Sequence, residues 1–297
     1  MSLENEEISN WENLNLNTNL LRGIYSYGFE QPSPIQQKGI LPILNNRDLI
    51  AQSQSGTGKT GCFTIAALNL VNENIQSSQI LILSPTRELS QQIKSVLDNL
   101  SKYMKKLNIQ LLVGGVSRQK DEEYINKNVP HILVGCPGRI YDIFNRKLIN
   151  AENIKLIIID EADELLSYGF KEQIHNIFNF LSNNIQIALF SATIPNDLYY
   201  LINKIMNDPI TISVKSEMLT LDGIKQYYVN LNTDNDKYLT LKDLFSTFSV
   251  AQCIIYCNTV KRVSDLYNLM INDNFSVCQI HSNLDKEDRI KNYNEFK

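Results

Sequence analysis

Ser53-Gln54-Ser55-Gly56-Thr57-Gly58-Lys59-Thr60 decides how this chain folds: it follows the short apolar run Leu49-Ile50-Ala51 and opens a stretch of helical periodicity. A strand, a Gly-rich turn and a helix start, in that order, wrap backbone N–H groups around an anion. Glycine lets the backbone approach closely, and a helix N-terminus favours negative charge. Ser55, Gly56, Thr57 and Gly58 then cradle phosphate, Lys59 neutralises the terminal phosphates, and the Thr60 hydroxyl helps hold magnesium. Ser53 stands where the general phosphate-loop pattern has Gly. A plain Gly/Ser-rich turn is the alternative, and a Lys-Thr pair directly after strand-like residues argues against it.

Asp160-Glu161-Ala162-Asp163 ends a second apolar run, Leu156-Ile157-Ile158-Ile159. Asp160, at a strand end near the same phosphates, is the natural magnesium-holding carboxylate, and Glu161 can orient and deprotonate an attacking water. Read alone, three carboxylates in four residues also fit a solvated turn. Asp163 is placed to hold Ser191 or Thr193 of Ser191-Ala192-Thr193, which follows another apolar strand; a helix-capping Ser/Thr turn is the local alternative. The two elements together point to ATP-like chemistry with Mg2+.

Charge excludes bulk coating of nucleic acid, since 28 Lys and Arg face 32 Asp and Glu for a net charge of −4. A local basic strip remains compatible with that balance. Apolar residues make up 43% of the 297-residue chain, enough for a real core. Cys62, Cys136, Cys253, Cys257 and Cys278 have no His or Cys grouping that completes a zinc pattern, so they read as structural thiols. The acidic N-terminus lacks an apolar targeting core and no segment has the length of a membrane span. A reducing compartment follows, cytoplasmic by default with nuclear as the alternative, and no membrane partner.

The rest of the chain alternates short strands and helices, the pattern of a mostly parallel α/β sheet covered on both faces. Strands are expected at Asp48–Gln52, Gln79–Ser84, Ile109–Val113, His131–Gly135, Lys155–Ile159, Gln186–Phe190 and Ile210–Val214. Helices are expected notably at Asn17–Tyr27, Ser33–Leu44, Thr60–Leu70, Arg87–Leu107 and Asp197–Met206. Residues 1–10 read as a frayed tail, 11–214 as the first domain, 215–223 as a linker and 224–297 as part of a second α/β domain. That second part offers strands at Ile224–Leu231, Gln252–Tyr256 and Val277–Ile280, with helices at Lys237–Phe248 and Val260–Met270.

With these residues assembled, the chain strongly resembles the DEAD-box ATP-dependent RNA helicases, in the branch of translation initiation factor 4A and its nuclear relatives. The resemblance also rests on Gly28-Phe29-Glu30-Gln31-Pro32-Ser33-Pro34-Ile35-Gln36, Pro85-Thr86-Arg87-Glu88-Leu89, Gly114-Gly115 and Pro137-Gly138-Arg139. It implies two RecA-like domains, the second incomplete here, that close around ATP and RNA to destabilise a short duplex. It implies Phe29 stacked on adenine with Gln36 on the base's polar edge, Gln31 nearby, and Trp11 packed behind in place of the usual Phe. It implies that Pro85, Thr86, Arg87, Gly115 and Arg139, with Asn258 and Thr259 of the second part, contact RNA, single-stranded or locally duplex and without sequence preference.

Cys136 replaces a Thr of the family pattern and removes a hydroxyl, while Ser282 after His281 replaces a Gly. The arginines that the family places beyond this sequence imply nucleotide binding and weak RNA binding, with impaired hydrolysis and unwinding. A nucleotide-dependent RNA clamp or scaffold in a translation-initiation or splicing assembly is the alternative function. A DNA-processing ATPase is a more distant one.

Overall fold

The structure is a computed structural model that describes residues 8–115, 117–167, 169–214, 225, 227–231, 233–249 and 251–296. The chain divides into two units, residues 1–222 and 223–297. The expected linker 215–223 lies outside the described residues.

The first unit is built on seven strands: β1 Leu49–Gln52, β2 Ile80–Leu83, β3 Ile109–Leu112, β4 Ile132–Gly135, β5 Leu156–Ile159, β6 Gln186–Ser191 and β7 Ile210–Ser213. All pair in parallel, in the order β3-β4-β2-β5-β6-β1-β7. Parallel neighbours require long crossovers, and helices supply them. The strands are short, and β2, β4 and β5 are apolar throughout because both faces are covered. Ile80 and Ile82 enter one core while Leu81 and Leu83 enter the other, and Leu156 and Ile158 alternate with Ile157 and Ile159 in the same way.

One core is roofed by α1 Thr18–Tyr27, α2 Pro34–Leu44, α3 Lys59–Leu70 and α4 Arg87–Leu100. The other carries α5 Arg118–Lys127, α6 Pro137–Asn145, α7 Ala162–Ser167, α8 Lys171–Phe178 and α9 Asn196–Ile205. Helix α4 is shorter than its periodicity suggested. The Ser101 N–H closes the last turn on Leu97 O, and the Lys106 N–H then bonds Glu73 Oε2 at 2.9 Å, drawing the chain toward the α3–β2 loop. Among the described residues no helix is long and apolar enough to cross a membrane.

The second unit holds α10 Asp234–Thr247, α11 Val260–Asn272 and α12 Lys286–Phe296. The strands expected at Gln252–Tyr256 and Val277–Ile280, and over the described part of Ile224–Leu231, are not formed. A strand exists through its ladder, and these runs find no ladder partner among the described residues. Tyr228 and Tyr256 are about nine-tenths exposed.

Asp48 fixes the strand that carries the phosphate loop. It is buried, and its carboxylate accepts from the Ile187 N–H and the Asn207 N–H, both at 2.8 Å, tying the start of β1 to β6 and to the loop before β7. Asp48→Ala leaves two amide donors without an acceptor, and we expect a loss of about 2–4 kcal/mol in urea unfolding.

Candidate functional site

The C-terminal ends of the parallel strands share one edge of the sheet, and strand order sorts their loops into two neighbouring groups. Loops after β5, β6 and β1 form one group and loops after β3, β4 and β2 the other. They meet where β2 lies beside β5, and there the Asp160 N–H donates to Leu83 O at 2.9 Å.

In the first group the turn from β1 into α3 uses two left-handed glycines, Gly56 with φ 82° and Gly58, the N-cap of α3, with φ 100°. Ser55 and Gly56 are exposed and Thr60 is half-buried. Thr57 Oγ1 donates to Gln54 O at 3.0 Å and lies 2.9 Å from Ser53 Oγ. Lys59 is buried; its ammonium donates to Ser53 O at 2.8 Å and lies 3.8 Å from Glu161 Oε1. Orphan amides at the start of α3 add the positive end of a helix dipole to that charge.

Asp160 is buried at the end of β5, and its Oδ1 has no hydrogen-bond partner. Burial pushes its carboxyl up to about 7, the neighbouring Glu161 adds to the rise, and Lys59 opposes it. Burial likewise raises Glu161, again against Lys59. Glu161 has φ 50°, a left-handed backbone that costs a non-glycine residue energy and re-aims its side chain at the strand-to-helix turn.

Burial works against the Asp163 carboxylate too, but hydrogen bonds from Thr193, Ser191 and backbone amides outweigh it and hold its pKa below the ordinary value. Asp163 Oδ2 accepts from Thr193 Oγ1 at 2.7 Å and from the Thr193 N–H at 3.1 Å, while the Asp163 N–H donates to Ser191 Oγ at 3.2 Å. The loops after β5 and β6 are thereby laced together.

The donors present suit Mg2+ beside a triphosphate. Asp160 offers a buried oxygen with no hydrogen-bond partner, and Thr60 a hydroxyl in the first turn of α3, two residues beyond Gly58. Among the described residues no group of three or more acidic, His or Cys side chains converges to hold a metal unaided. That suits an ion that takes most of its ligands from phosphate and water.

Beside the phosphate loop, Gln36 is buried, with Oε1 accepting from the Ser33 N–H at 2.8 Å and Nε2 donating to Gly58 O at 3.1 Å. Phe29 is half-buried; its carbonyl accepts from Trp11 Nε1 at 3.0 Å, and the Trp11 ring stacks at 6.5 Å. Gln31 is exposed on the same turn. Sequence reading missed Gly61. A Cβ there would lie 2.5 Å from Gln36 Nε2 and 3.1 Å from Phe29 Cε2. Its signal was available: a glycine in the first turn of a helix, where it costs stability, needs a packing reason.

In the second group Pro85 is buried, Thr86 caps α4 by accepting from the Leu89 N–H at 3.2 Å, and Arg87 is exposed. A Cβ on Gly114 would lie 3.0 Å from Arg87 Nη2, and Gly115 turns with φ 82°. Cys136 Sγ lies 3.6 Å from Ser90 Oγ. Arg139, expected to contact RNA, is 9% exposed, with Nη1 3.4 Å from Asp121 Oδ2. In the second unit Asn258 is exposed, and Thr259 caps α11 by accepting from the Arg262 N–H at 3.2 Å.

A family model described as DEAD/DEAH box helicase matches residues 33–201, and one described as helicase conserved C-terminal domain matches 236–297. ATP-dependent RNA helicase eIF4A of Debaryomyces hansenii is 46% identical over 287 residues, covering 97% of this chain and 72% of that protein. Eukaryotic initiation factor 4A of Cryptosporidium parvum is 48% identical over 284 residues, covering 96% of this chain and 70% of that protein. The structure of S. cerevisiae Dbp5 bound to RNA and ADP BeF3 matches with a TM-score of 0.86 at 32% identity, over 97% of this chain and 73% of that chain.

The chain belongs to the DEAD/DEAH box helicase family. Its fold is a RecA-like parallel α/β domain followed by part of a second, and its activity is that of an ATP-dependent RNA helicase of the eIF4A-like branch.

A carboxyl whose folded pKa is raised from 3.8 to about 7 binds its proton more tightly folded than unfolded, so its ionisation costs stability. That cost grows from the unfolded value upward and is complete above the folded one. Without magnesium or nucleotide we therefore expect Asp160→Asn to be the more stable protein by about 2 kcal/mol above pH 7. The advantage should shrink toward pH 4; thermal melts at pH 5 and pH 8 check it.

Proposed function

We propose that this chain divides the helicase reaction between the two groups of loops, with the nucleotide on those after β1, β5 and β6 and RNA on those after β2, β3 and β4. The Asp160 N–H to Leu83 O bond carries this reading, because it joins the carboxylate strand to the strand that ends in Pro85-Thr86-Arg87. Displacement of either loop is felt directly by the other.

In this reading Phe29 stacks on adenine, Gln36 and Gln31 read its polar edge, and Trp11 holds Phe29 in place. Ser55, Gly56, Thr57 and Gly58 present amides to the phosphates, and Lys59 exchanges Ser53 O for a phosphate oxygen. Thr60 and Asp160 would hold Mg2+, which when bound neutralises charge on the transferring phosphate. Glu161, half-buried with a raised pKa, takes a proton from the attacking water. Asp163, Ser191 and Thr193 lock the loop that relays the change.

In the first unit RNA is held mainly through backbone and sugar contacts at Thr86, Arg87, Gly115 and the start of α6; in the second unit, taken by itself, Asn258 and Thr259 are the residues that contact RNA. Such contacts carry little base information and read the 2′-hydroxyl. By likeness to the initiation factors, the chain acts in the cytoplasm within a translation-initiation assembly; imaging a tagged protein, with nuclear retention as the contrary result, checks the location.

ATP turnover with and without single-stranded RNA tests the reading. RNA should raise wild-type turnover, Lys59→Ala should lose ATP binding, and Glu161→Gln should bind ATP yet turn over at least about 100-fold more slowly. Wild-type ATP and RNA binding without turnover would favour a nucleotide-dependent clamp, and an equal response to DNA would remove the 2′-hydroxyl from the account. Gly61→Ala displaces Phe29 and Gln36 together, so ATP affinity should fall about tenfold while affinity for inorganic tripolyphosphate stays unchanged.

A further inference from the structure

Helix α5 starts directly beyond the Gly114-Gly115 turn and has almost no apolar face, Asp121 and Ile125 being its buried residues. Hydrophobic burial alone therefore seats it weakly. Charge fastens it to α6 instead. Arg118 Nε lies 3.3 Å from Asp142 Oδ2, Arg146 Nη2 lies 2.5 Å from Glu122 Oε2, and between them Asp121 meets Arg139.

The central pair differs from its neighbours in being buried on both sides, with side-chain exposures of 3% and 8%, whereas Arg118 is 70% exposed. Burial raises the Asp121 pKa, Arg139 opposes the rise and Asp142 adds to it. Two desolvated charges 3.4 Å apart add little net stability, but each is costly to leave without the other, which keeps their two elements together. Their elements matter here: Asp121 is on the first turn of the helix that follows Gly115, and Arg139 is on the first turn after Cys136. Below them the Cys136 N–H donates to Leu112 O at 3.2 Å, the last backbone tie of β4 to β3.

We propose that the Asp121–Arg139 pair extends this tie beyond the sheet and sets the spacing between the Gly114-Gly115 turn and the Cys136–Arg139 turn. Asp121 and Arg139 are thus positioning residues for RNA, and the Arg139 guanidinium is not itself a phosphate contact. The inference rests on the RNA reading of these loops.

Binding of a labelled oligouridylate across a salt series, together with amide exchange in the nucleotide-free protein, tests it in Asp121→Asn, Arg139→Gln, the double variant and Arg118→Ala. Each buried single variant should weaken RNA binding about tenfold, and the double should be no weaker than either single. The slope of log K against log salt should stay at the wild-type value, since no phosphate contact is removed. Affinity for ATP should be unchanged, and amides over 114–127 should exchange at least about tenfold faster while the strands keep their protection. Arg118→Ala, which removes an exposed partner and keeps the core, should shift RNA binding two- to threefold in the same direction, so the proposal stays testable if a buried variant fails to fold.

A salt slope smaller by about 0.7 in Arg139→Gln, with Asp121→Asn binding as well as wild type or better, would make Arg139 a phosphate ligand and overturn the proposal. Unchanged exchange over 114–127 would also overturn it. If wild type bound no RNA, the reading of the loops would fail, while the exchange result would still decide whether the pair holds the turn.

Discussion

A carboxylate kept dry at the end of a central strand is the constraint on which the remaining architecture turns. β5 lies between β2 and β6 and Asp160 is only 4% exposed, so its charge must be answered largely by groups that the neighbouring loops supply. Lys59 answers in part from the β1 loop, and the strained Glu161 backbone turns the next side chain toward the same ammonium. The parallel order is therefore more than a way of covering two faces. It decides which loops share an electrostatic problem, and those are the loops after β5 and β1, with the β6 loop attached through Asp163.

The two groups of loops are held by different physics. Around the phosphate turn, hydrogen bonds are short and mostly local, with Lys59, Thr57 and Gln36 all bonded to the turn itself. The β3–β4 side relies on paired charges that bridge two helices, one of them nearly devoid of apolar surface. Local bonds make a rigid cradle, whereas bridged charges set a distance between bodies.

Much of this was legible because each functional run is a short apolar strand ending in a chemically distinctive turn. Leu156–Ile159 followed by acids, and Leu49–Ala51 followed by Gly-rich sequence, announce both the element and the edge of the sheet on which it opens. Helix α5 carried no such signal: Arg118–Lys127 has Ile125 as its one buried apolar residue, and the pairing of Asp121 with Arg139 joins two separate elements. Nor could periodicity show that Gln252–Tyr256 lacks a ladder, since an apolar run reports what it would bury and not whether a neighbour is there to receive it. Gly61 lay between these cases, visible as a residue but intelligible only once Phe29 and Gln36 were seen to rest against it.

The ring of Trp11 and its hydrogen bond to the Phe29 carbonyl connect Phe29, beside the phosphate turn, to a segment that precedes α1 and contributes no strand to the sheet. Trp11 is itself buried in the core, and Gln36 bonds the phosphate turn at Gly58, so this segment and the cradle belong to one packed unit. A change at Trp11 therefore reaches the phosphate turn through Phe29, Gly61 and Gln36, and the two parts are free to vary only in step.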